Sequence, residues 1–141
     1  MFTGTVSVKL STPIKWEGRE IEVVDLDFGK VNGGIITQCE RETFQGGNFS
    51  GLVRSRSEEY CSRMAALISG LPYRVFEKMN SYDYEFICLV VGSFIDKRNP
   101  QKFYDKAVLL RDMTDEEEDE EDIKQVFTKP AEKKPEKQDE T

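Results

Sequence analysis

The stretch that most constrains the fold of this chain is residues 57–95, which contains three helical patterns separated by two corners. The first helix is predicted from an apolar stripe at i, i+4, i+7 and i+11, formed by Tyr60, Met64, Leu67 and Leu71. Gly70 lies where a left-handed residue ends a helix at low cost, and Pro72 suits a new first turn. These local signals agree, so the stretch is predicted to form the helical core.

Three more helices are predicted around this first one. The short second helix offers Val75, Phe76 and Met79, and Ser81 is the predicted N-cap of the third helix. The third helix has Phe86, Val90 and Phe94 on one stripe, with Ile87 and Val91 beside it. Asn99 followed by Pro100 predicts the start of an amphipathic helix over residues 100–112, with Phe103, Tyr104, Ala107, Val108 and Leu110 on its apolar side.

The N-terminal residues predict a β-hairpin over residues 5–28. Residues 5–10 alternate apolar and polar side chains, as a half-buried strand does, and residues 11–13 allow a kink or a strand break before Ile14. Residues 16–19 predict the turn, with Gly18 free to adopt a positive φ. The return strand changes parity at Val23-Val24, which predicts an irregularity there. A hairpin alone is marginal, so it must pack against the helices or pair with another chain.

The segment between the hairpin and the helical core gives weaker signals. Ile35, Ile36, Cys39 and Phe44 predict a short helix over about residues 34–43. Residues 45–56 are rich in Gly and Ser and predict a mobile loop. Its apolar residues Phe49, Leu52 and Val53 are either tucked under or held open for a partner.

The net charge of −7 lies entirely in the last segment of the chain. Residues 1–112 hold 15 acidic and 15 basic side chains, whereas residues 113–141 hold 12 acidic and 5 basic, and 5 − 12 = −7. The body therefore offers no broad basic face, which disfavours binding to nucleic acid. Eight successive carboxylates at 115–122 and a Lys/Glu/Pro-rich end predict disorder over 113–141. Ile123, Val126 and Phe127 form an apolar island there, either by chance or as a short partner-binding motif.

The side chains that enzymes and metal sites use most are missing or scattered. The chain has no histidine and three cysteines, Cys39, Cys61 and Cys88, which lie within helical patterns and are predicted to be buried. The glycine pairs at 33–34 and 46–47 lack the GKS or GKT of a phosphate-binding loop. Glu58 and Glu59 are better explained as N-terminal charges of a helix than as acid–base groups. We therefore expect no enzymatic activity, no metal and no cofactor.

The predicted class is α+β: an N-terminal β-hairpin packed on a bundle of about four to five helices, with a disordered acidic tail. The folded domain is predicted at 1–112, with the hairpin at 5–28 and the helical part at 34–112, and the tail at 113–141. The start of the chain lacks the basic and apolar regions of a signal peptide, and no apolar run approaches the ~20 residues of a membrane span. We expect a reduced, cytoplasmic protein that does not contact a membrane.

The order of these parts resembles the tail assembly chaperones of long-tailed bacteriophages, particularly the Mu-like type. Two blocks carry the resemblance: VSVKLSTPIKWEGREIEVVDLDF at 6–28 and LISGLPYRVFEKMNSYDYEFICLVVGSFI at 67–95. The positions that match the family pattern in the second block are Gly70-Leu71-Pro72, Met79-Asn80-Ser81, Asp83-Tyr84 and Phe94-Ile95. The resemblance covers roughly residues 5–95. The Gly-rich loop at 45–51 and the acidic tail depart from the family pattern.

The resemblance implies a non-enzymatic chaperone that binds the tape measure protein, keeps it soluble and helps recruit tail tube protein. Such a protein acts in the host cytoplasm during assembly and is absent from the mature virion. In the family, a longer form is often made by programmed ribosomal frameshifting. The acidic tail would keep crowded complexes apart by mutual repulsion.

Six apolar side chains are the predicted partner contacts, and each serves equally well as core: Tyr84, Ile87, Val91, Phe103, Val108 and Leu109. Self-association through the hairpin is the further interaction that the pattern allows. Two other functions stay open. One is a structural adaptor retained in the tail or virion, and the other is an acidic DNA mimic that inhibits a nucleic-acid-binding protein.

Overall fold

The computed structural model describes residues 1–44 and 57–118, with side chains described as far as residue 112. Within these residues, two strands and five α-helices follow one another, with one 3₁₀ turn after the second strand. Their bounds are β1 Thr5–Trp16, β2 Arg19–Asp27, the 3₁₀ turn Phe28–Lys30, α1 Gly33–Phe44, α2 Glu58–Ser69, α3 Tyr73–Glu77, α4 Ser81–Ile95 and α5 Pro100–Glu118. This arrangement confirms the predicted α+β class.

The chain divides into two compact units, Met1–Tyr104 and Asp105–Thr141, with the boundary inside α5. The first unit contains the hairpin, α1 to α4 and the first turn of α5. In the second unit, the helix continues to Glu118, six residues beyond the predicted end at 112. The start of the predicted disordered tail is therefore helical. The predicted loop at 45–56 and the apolar island at Ile123, Val126 and Phe127 lie outside the described residues.

The hairpin turn forms where it was predicted, between Trp16 and Arg19. Gly18 has a φ of +78°, and Glu17 has a φ of +50°. Positive φ values at both central residues are the signature of a type I′ turn, whose twist matches that of the flanking strands. Glu17 is a poor residue for this conformation, because a side chain with a Cβ rarely adopts it.

The predicted irregularity in the hairpin is real, but its extra residues lie in β1. The register runs from Thr5 opposite Asp27 to Lys9 opposite Val23, and it resumes at Ile14 opposite Ile21. Four β1 residues, 10–13, thus face the single β2 residue Glu22. The register shift falls where the sequence allows a kink or a strand break, and β1 continues through it. The parity change on β2 follows from this shift: Val24 is buried, whereas Val23 is 45% exposed.

One continuous core joins the inner face of the hairpin to the helices. The hairpin contributes alternate side chains, as a half-buried strand should. The largest side chains that are almost completely buried include Val6, Val8, Val24, Leu26, Phe28, Tyr60, Met64, Ile68, Val75, Phe76, Ile87 and Val90. Burial of one such side chain stabilises the fold by about 1.5–3 kcal/mol. The cysteines at 39, 61 and 88 are also buried and free of disulfides, which confirms their predicted place in the core.

Short-range polar contacts set the ends of the helices. Ser57 caps α2 by accepting a hydrogen bond from the Tyr60 amide, and Gly70 ends α2 with a φ of +78°. Asn99 Oδ1 accepts from the amides of Gln101 and Lys102 at the start of α5, as predicted. The predicted cap of α4 was wrong by one residue: Asn80, not Ser81, accepts from the Asp83 amide at 2.8 Å. Asn is as good a cap as Ser, so the two neighbours compete on sequence alone.

Candidate partner-binding surface

The two faces of α4 differ sharply in burial. Its inner face packs against α2 and β1, and Ile87, Val90 and Val91 there are completely buried. Its outer face carries Tyr82, Phe86 and Leu89 at i, i+4 and i+7, which places the three side chains in one row. Tyr82 is 46% exposed and Leu89 is 58% exposed, while Phe86 is half-buried. We call this row the α4 outer stripe.

Aromatic contacts extend the α4 outer stripe toward the first turn of α5. The rings of Tyr82 and Phe86 stack with centroids 6.3 Å apart, and the Phe86 ring lies 5.6 Å from that of Tyr104. Tyr104 is fixed in turn, because its hydroxyl accepts a hydrogen bond from the Lys9 amide of β1 at 3.2 Å. The outer stripe is therefore part of a surface whose aromatic side chains hold one another in place.

A buried carboxylate anchors the N-terminus of α4 to the hairpin. Asp83 is 3% exposed and accepts hydrogen bonds from the Ser11 amide at 2.9 Å, the Thr12 amide at 3.2 Å and the Ser11 hydroxyl at 3.1 Å. The side-chain amide of Asn80 also donates hydrogen bonds to the Ser11 and Thr12 hydroxyls. These contacts satisfy the amides that the irregular part of β1 leaves unpaired.

The C-terminal end of α4 is held by aromatic stacking. The rings of Phe94 and Phe28 stack with centroids 4.6 Å apart and an interplanar angle of 28°. Phe28 follows β2 directly and is itself buried. The helix is thus fixed to the hairpin at both ends, so its outer stripe is presented on a rigid element rather than on a loop.

Tyr84, one of the predicted contact residues, belongs to a hydroxyl cluster between α2, α3 and α4. The buried Ser62 hydroxyl lies 2.9 Å from the Tyr84 hydroxyl and 3.0 Å from that of Tyr73. Burial raises the pKa of the Tyr84 phenol above its ordinary value, with a further rise from its hydrogen bond to Tyr73. The Tyr84 hydroxyl thus links α4 to α2 through Ser62.

An open pocket lies beside this hydroxyl cluster. Its volume is about 350 Å³, and it is lined by Tyr73, Phe76, Glu77, Met79, Ser81 and Tyr84. Its walls are mainly apolar, with one carboxylate at the edge. The pocket thus offers mainly apolar contact area.

The three cysteines are placed as core residues. Cys39 Sγ donates to the Tyr60 carbonyl at 3.2 Å, and Cys88 Sγ donates to the Glu58 carbonyl at 3.4 Å. Burial raises the pKa of the Cys61 thiol to about 12, and the nearby Cys39 thiol adds to this rise. Burial likewise raises the pKa of Cys88. Thiols held protonated in this way are poor nucleophiles and poor metal ligands.

The structure separates the six predicted contact residues into three groups. Ile87 and Val91 are completely buried, so a partner cannot reach them while this fold is kept. Tyr84 and Phe103 are half-buried and pack at the edge of the core. In the second unit, Val108 is half-buried and Leu109 is 60% exposed. Of the residues in the first unit, the most exposed apolar side chains of α4 are instead Tyr82 and Leu89.

The α4 outer stripe was missed because α4 is apolar on nearly every side. Phe86 was assigned to the same stripe as Val90 and Phe94, although a second apolar row is present at 82, 86 and 89. That spacing of four and three residues was the available signal. Two apolar rows on one helix predict that one of them faces a neighbour outside the core.

Neither a metal site nor a membrane span is found in the described part of the chain. No group of three or more Cys, Asp or Glu side chains within residues 1–44 and 57–118 is arranged to hold a metal ion. None of the described helices combines the length and apolar content that a membrane span requires. Comparison of the chain with protein-family models, curated proteins and solved structures gave no match.

Proposed function

We propose that this protein is a phage tail assembly chaperone, a non-enzymatic protein that binds the helical tape measure protein and keeps it soluble during tail assembly. It acts in the host cytoplasm, assists recruitment of the tail tube protein, and is not retained in the mature virion. The resemblance of residues 6–28 and 67–95 to this family supports the proposal. So does the α4 outer stripe, which is the observation that carries it.

The α4 outer stripe has the chemistry that a helical client needs. A row of apolar side chains at i, i+4 and i+7 packs against the matching row of an amphipathic helix. Tyr82 and Leu89 supply exposed apolar area at the two ends of the row, and Tyr104 widens it through Phe86. Tyrosine and phenylalanine are also side chains that protein interfaces favour.

The distribution of charge supports the same function. The chain carries a net charge of −7, and all of it comes from residues 113–141. A chaperone that coats a long client brings many copies close together, and like charges then keep neighbouring complexes apart. The repulsion is long-ranged only at low ionic strength, because the Debye length is about 8 Å in physiological salt.

The test is co-expression with the tape measure protein encoded by the same phage. We expect the soluble fraction of the tape measure protein to rise in the presence of the chaperone, and the two proteins to co-elute in gel filtration. Leu89→Asp should abolish both effects, because it replaces the most exposed apolar side chain of the row with a charge. Equal solubility of the tape measure protein with and without the chaperone would refute the proposal.

The matched control is Thr37→Asp, which adds the same charge at an exposed helical position on α1, outside the stripe. It should retain both solubilisation and co-elution. Leu109→Asp tests the other predicted surface in the second unit. Loss of function in Leu109→Asp but not in Leu89→Asp would mean that the tape measure protein binds α5 rather than α4. Detection of the protein in purified virions by mass spectrometry would instead favour a structural adaptor.

A further inference from the structure

The two edges of the hairpin differ in whether their outward-pointing backbone groups have hydrogen-bond partners. The pattern of backbone hydrogen bonds is fixed at one end by the Phe28 amide, which donates to the Gly4 carbonyl at 3.0 Å. Pairs alternate from there, so Lys9 and Val23 form a pair whose backbone groups point away from each other. The Lys9 amide does point outward, because it donates to the Tyr104 hydroxyl.

The outer edge of β1 is closed at residues 9–12 by side chains of the same unit. The Tyr104 hydroxyl accepts a hydrogen bond from the Lys9 amide, and the Asp83 carboxylate accepts from the amides of Ser11 and Thr12. No further strand can pair along residues 9–12 without displacing these side chains, one of which is a buried carboxylate. This part of the β1 edge is thus protected against strand addition.

Within residues 1–44 and 57–118, the outer edge of β2 has backbone groups that no strand pairs with. By the same alternation, the amide and carbonyl groups of Val23 and Asp25 point away from β1. Within the described residues, these groups have no hydrogen-bond partner. Both residues are exposed, and Val23 offers an apolar side chain next to the open edge. This edge can accept one added strand.

The charge of β2 determines which strand fits. The strand has the sequence REIEVVDLD, with one basic and four acidic residues, so its net charge is 1 − 4 = −3. A second copy pairing through the same edge would bring −3 against −3, which opposes the self-association that the hairpin pattern allowed. A strand rich in Lys or Arg would place opposite charges next to Glu20, Glu22 and Asp25.

We propose that the outer edge of β2 binds an extended basic segment of a partner protein by adding it as a third strand. Backbone hydrogen bonds from Val23 and Asp25 hold the segment, and the acidic side chains of β2 select its charge. This site is separate from the α4 outer stripe and does not depend on the proposed chaperone function.

The test uses the full chain and two blocked peptides of identical charge, in which lysine and threonine alternate. The second peptide is N-methylated at alternate residues, so that it cannot pair with a strand edge. Both peptides bind the acidic run at 115–122 equally, so their difference reports pairing alone. We expect the first peptide to shift the backbone amide NMR signals of Val23 and Asp25 and to slow their hydrogen exchange, while the methylated peptide has neither effect.

Substitutions at one position separate backbone pairing from side-chain effects. Val23→Pro removes an outward-pointing amide without breaking a β1–β2 hydrogen bond, and should weaken binding of the first peptide about fivefold. Val23→Thr keeps the amide and should bind as the wild type does. Glu20→Gln/Glu22→Gln should weaken binding at low salt more than at high salt.

Three outcomes would overturn the proposal. The first is equal binding of both peptides, and the second is unchanged binding by Val23→Pro. The third is a concentration-dependent dimer in sedimentation that Val23→Pro abolishes, which would make a second copy the occupant. Failure of the tape measure co-expression test would leave this proposal standing, since that test depends on Leu89.

Discussion

The inner and outer faces of α4 are built from similar side chains but lie in opposite surroundings. Ile87, Val90 and Val91 on the inner face are completely buried, whereas Leu89, between them in sequence, is 58% exposed. Hydrophobicity alone therefore does not tell core from surface on this helix. The difference comes from what the hairpin and α2 cover, and it separates the residues that stabilise the fold from those left for a partner.

The largest effect is expected on the inner face. Ile87→Ala should lower the free energy of unfolding by about 2–5 kcal/mol, because it leaves a cavity where Ile87 packs between α4 and the rest of the core. Urea denaturation followed by circular dichroism measures this change. Ile87→Val is the control and should cost only about 0.5–1.5 kcal/mol. If Ile87→Ala costs less than about 0.5 kcal/mol, Ile87 is not in the core.

The second effect is expected in the first turn of α4, where Asp83 anchors the helix to the hairpin. Asp83→Ala should cost about 1–3 kcal/mol, because the partly buried hydrogen bonds from the Ser11 and Thr12 amides lose their acceptor. NMR should also show faster hydrogen exchange of these two amides, a local change that a simple loss of helix propensity would not cause. Asp83→Asn keeps one acceptor oxygen and should be intermediate. Equal stability of all three proteins would show that water replaces the carboxylate.

The third effect is the pH dependence of stability, which tests whether water reaches the buried Cys61 thiol. The pKa of Cys61 is raised from an ordinary value of 9.0 to about 12 in the folded state. The thiol therefore contributes its full stability below about pH 9, and this stability is lost as the pH rises toward 12. The loss should approach roughly 1 kcal/mol per pH unit between those limits.

Cys61→Ser is the comparison for this pH effect. Lysine and tyrosine groups titrate in both proteins, so the difference between their stability–pH curves isolates the thiol. We expect the wild type to lose stability more steeply than the variant above pH 9. Parallel curves would mean that water reaches Cys61 in the folded state and that its pKa is ordinary.

The sequence was most informative where local chemistry alone decides the structure. The hairpin turn with its positive φ at Gly18, the end of α2 at Gly70 and the start of α5 at Asn99-Pro100 all depend on neighbouring residues, and all were predicted. The predicted α+β class followed from the change of hydrophobic period from two to 3.6 residues along the chain.

The parts that the sequence did not predict depend on long-range contacts. Asp83 reads as an ordinary first-turn acid, yet its partners Ser11 and Thr12 lie about 70 positions earlier in the chain. The choice of buried row on α4 has the same origin, since it is set by where the hairpin packs. Ile87 and Val91 were predicted as contacts for this reason, while Tyr82 and Leu89 were overlooked.

The smallest effect on stability should come from the α4 outer stripe, and it is the most informative about function. Leu89→Gln should change the free energy of unfolding by no more than about 0.5 kcal/mol, because Leu89 is mostly in water already. It should nevertheless reduce the fluorescence of a dye that binds exposed apolar surface, since it removes the most exposed aliphatic side chain of that row. Thr37→Gln, at an exposed polar position on α1, should change neither quantity. A loss of stability in Leu89→Gln as large as in Ile87→Ala would show that both faces of α4 belong to the core, and the outer stripe would then not be free to bind a client helix.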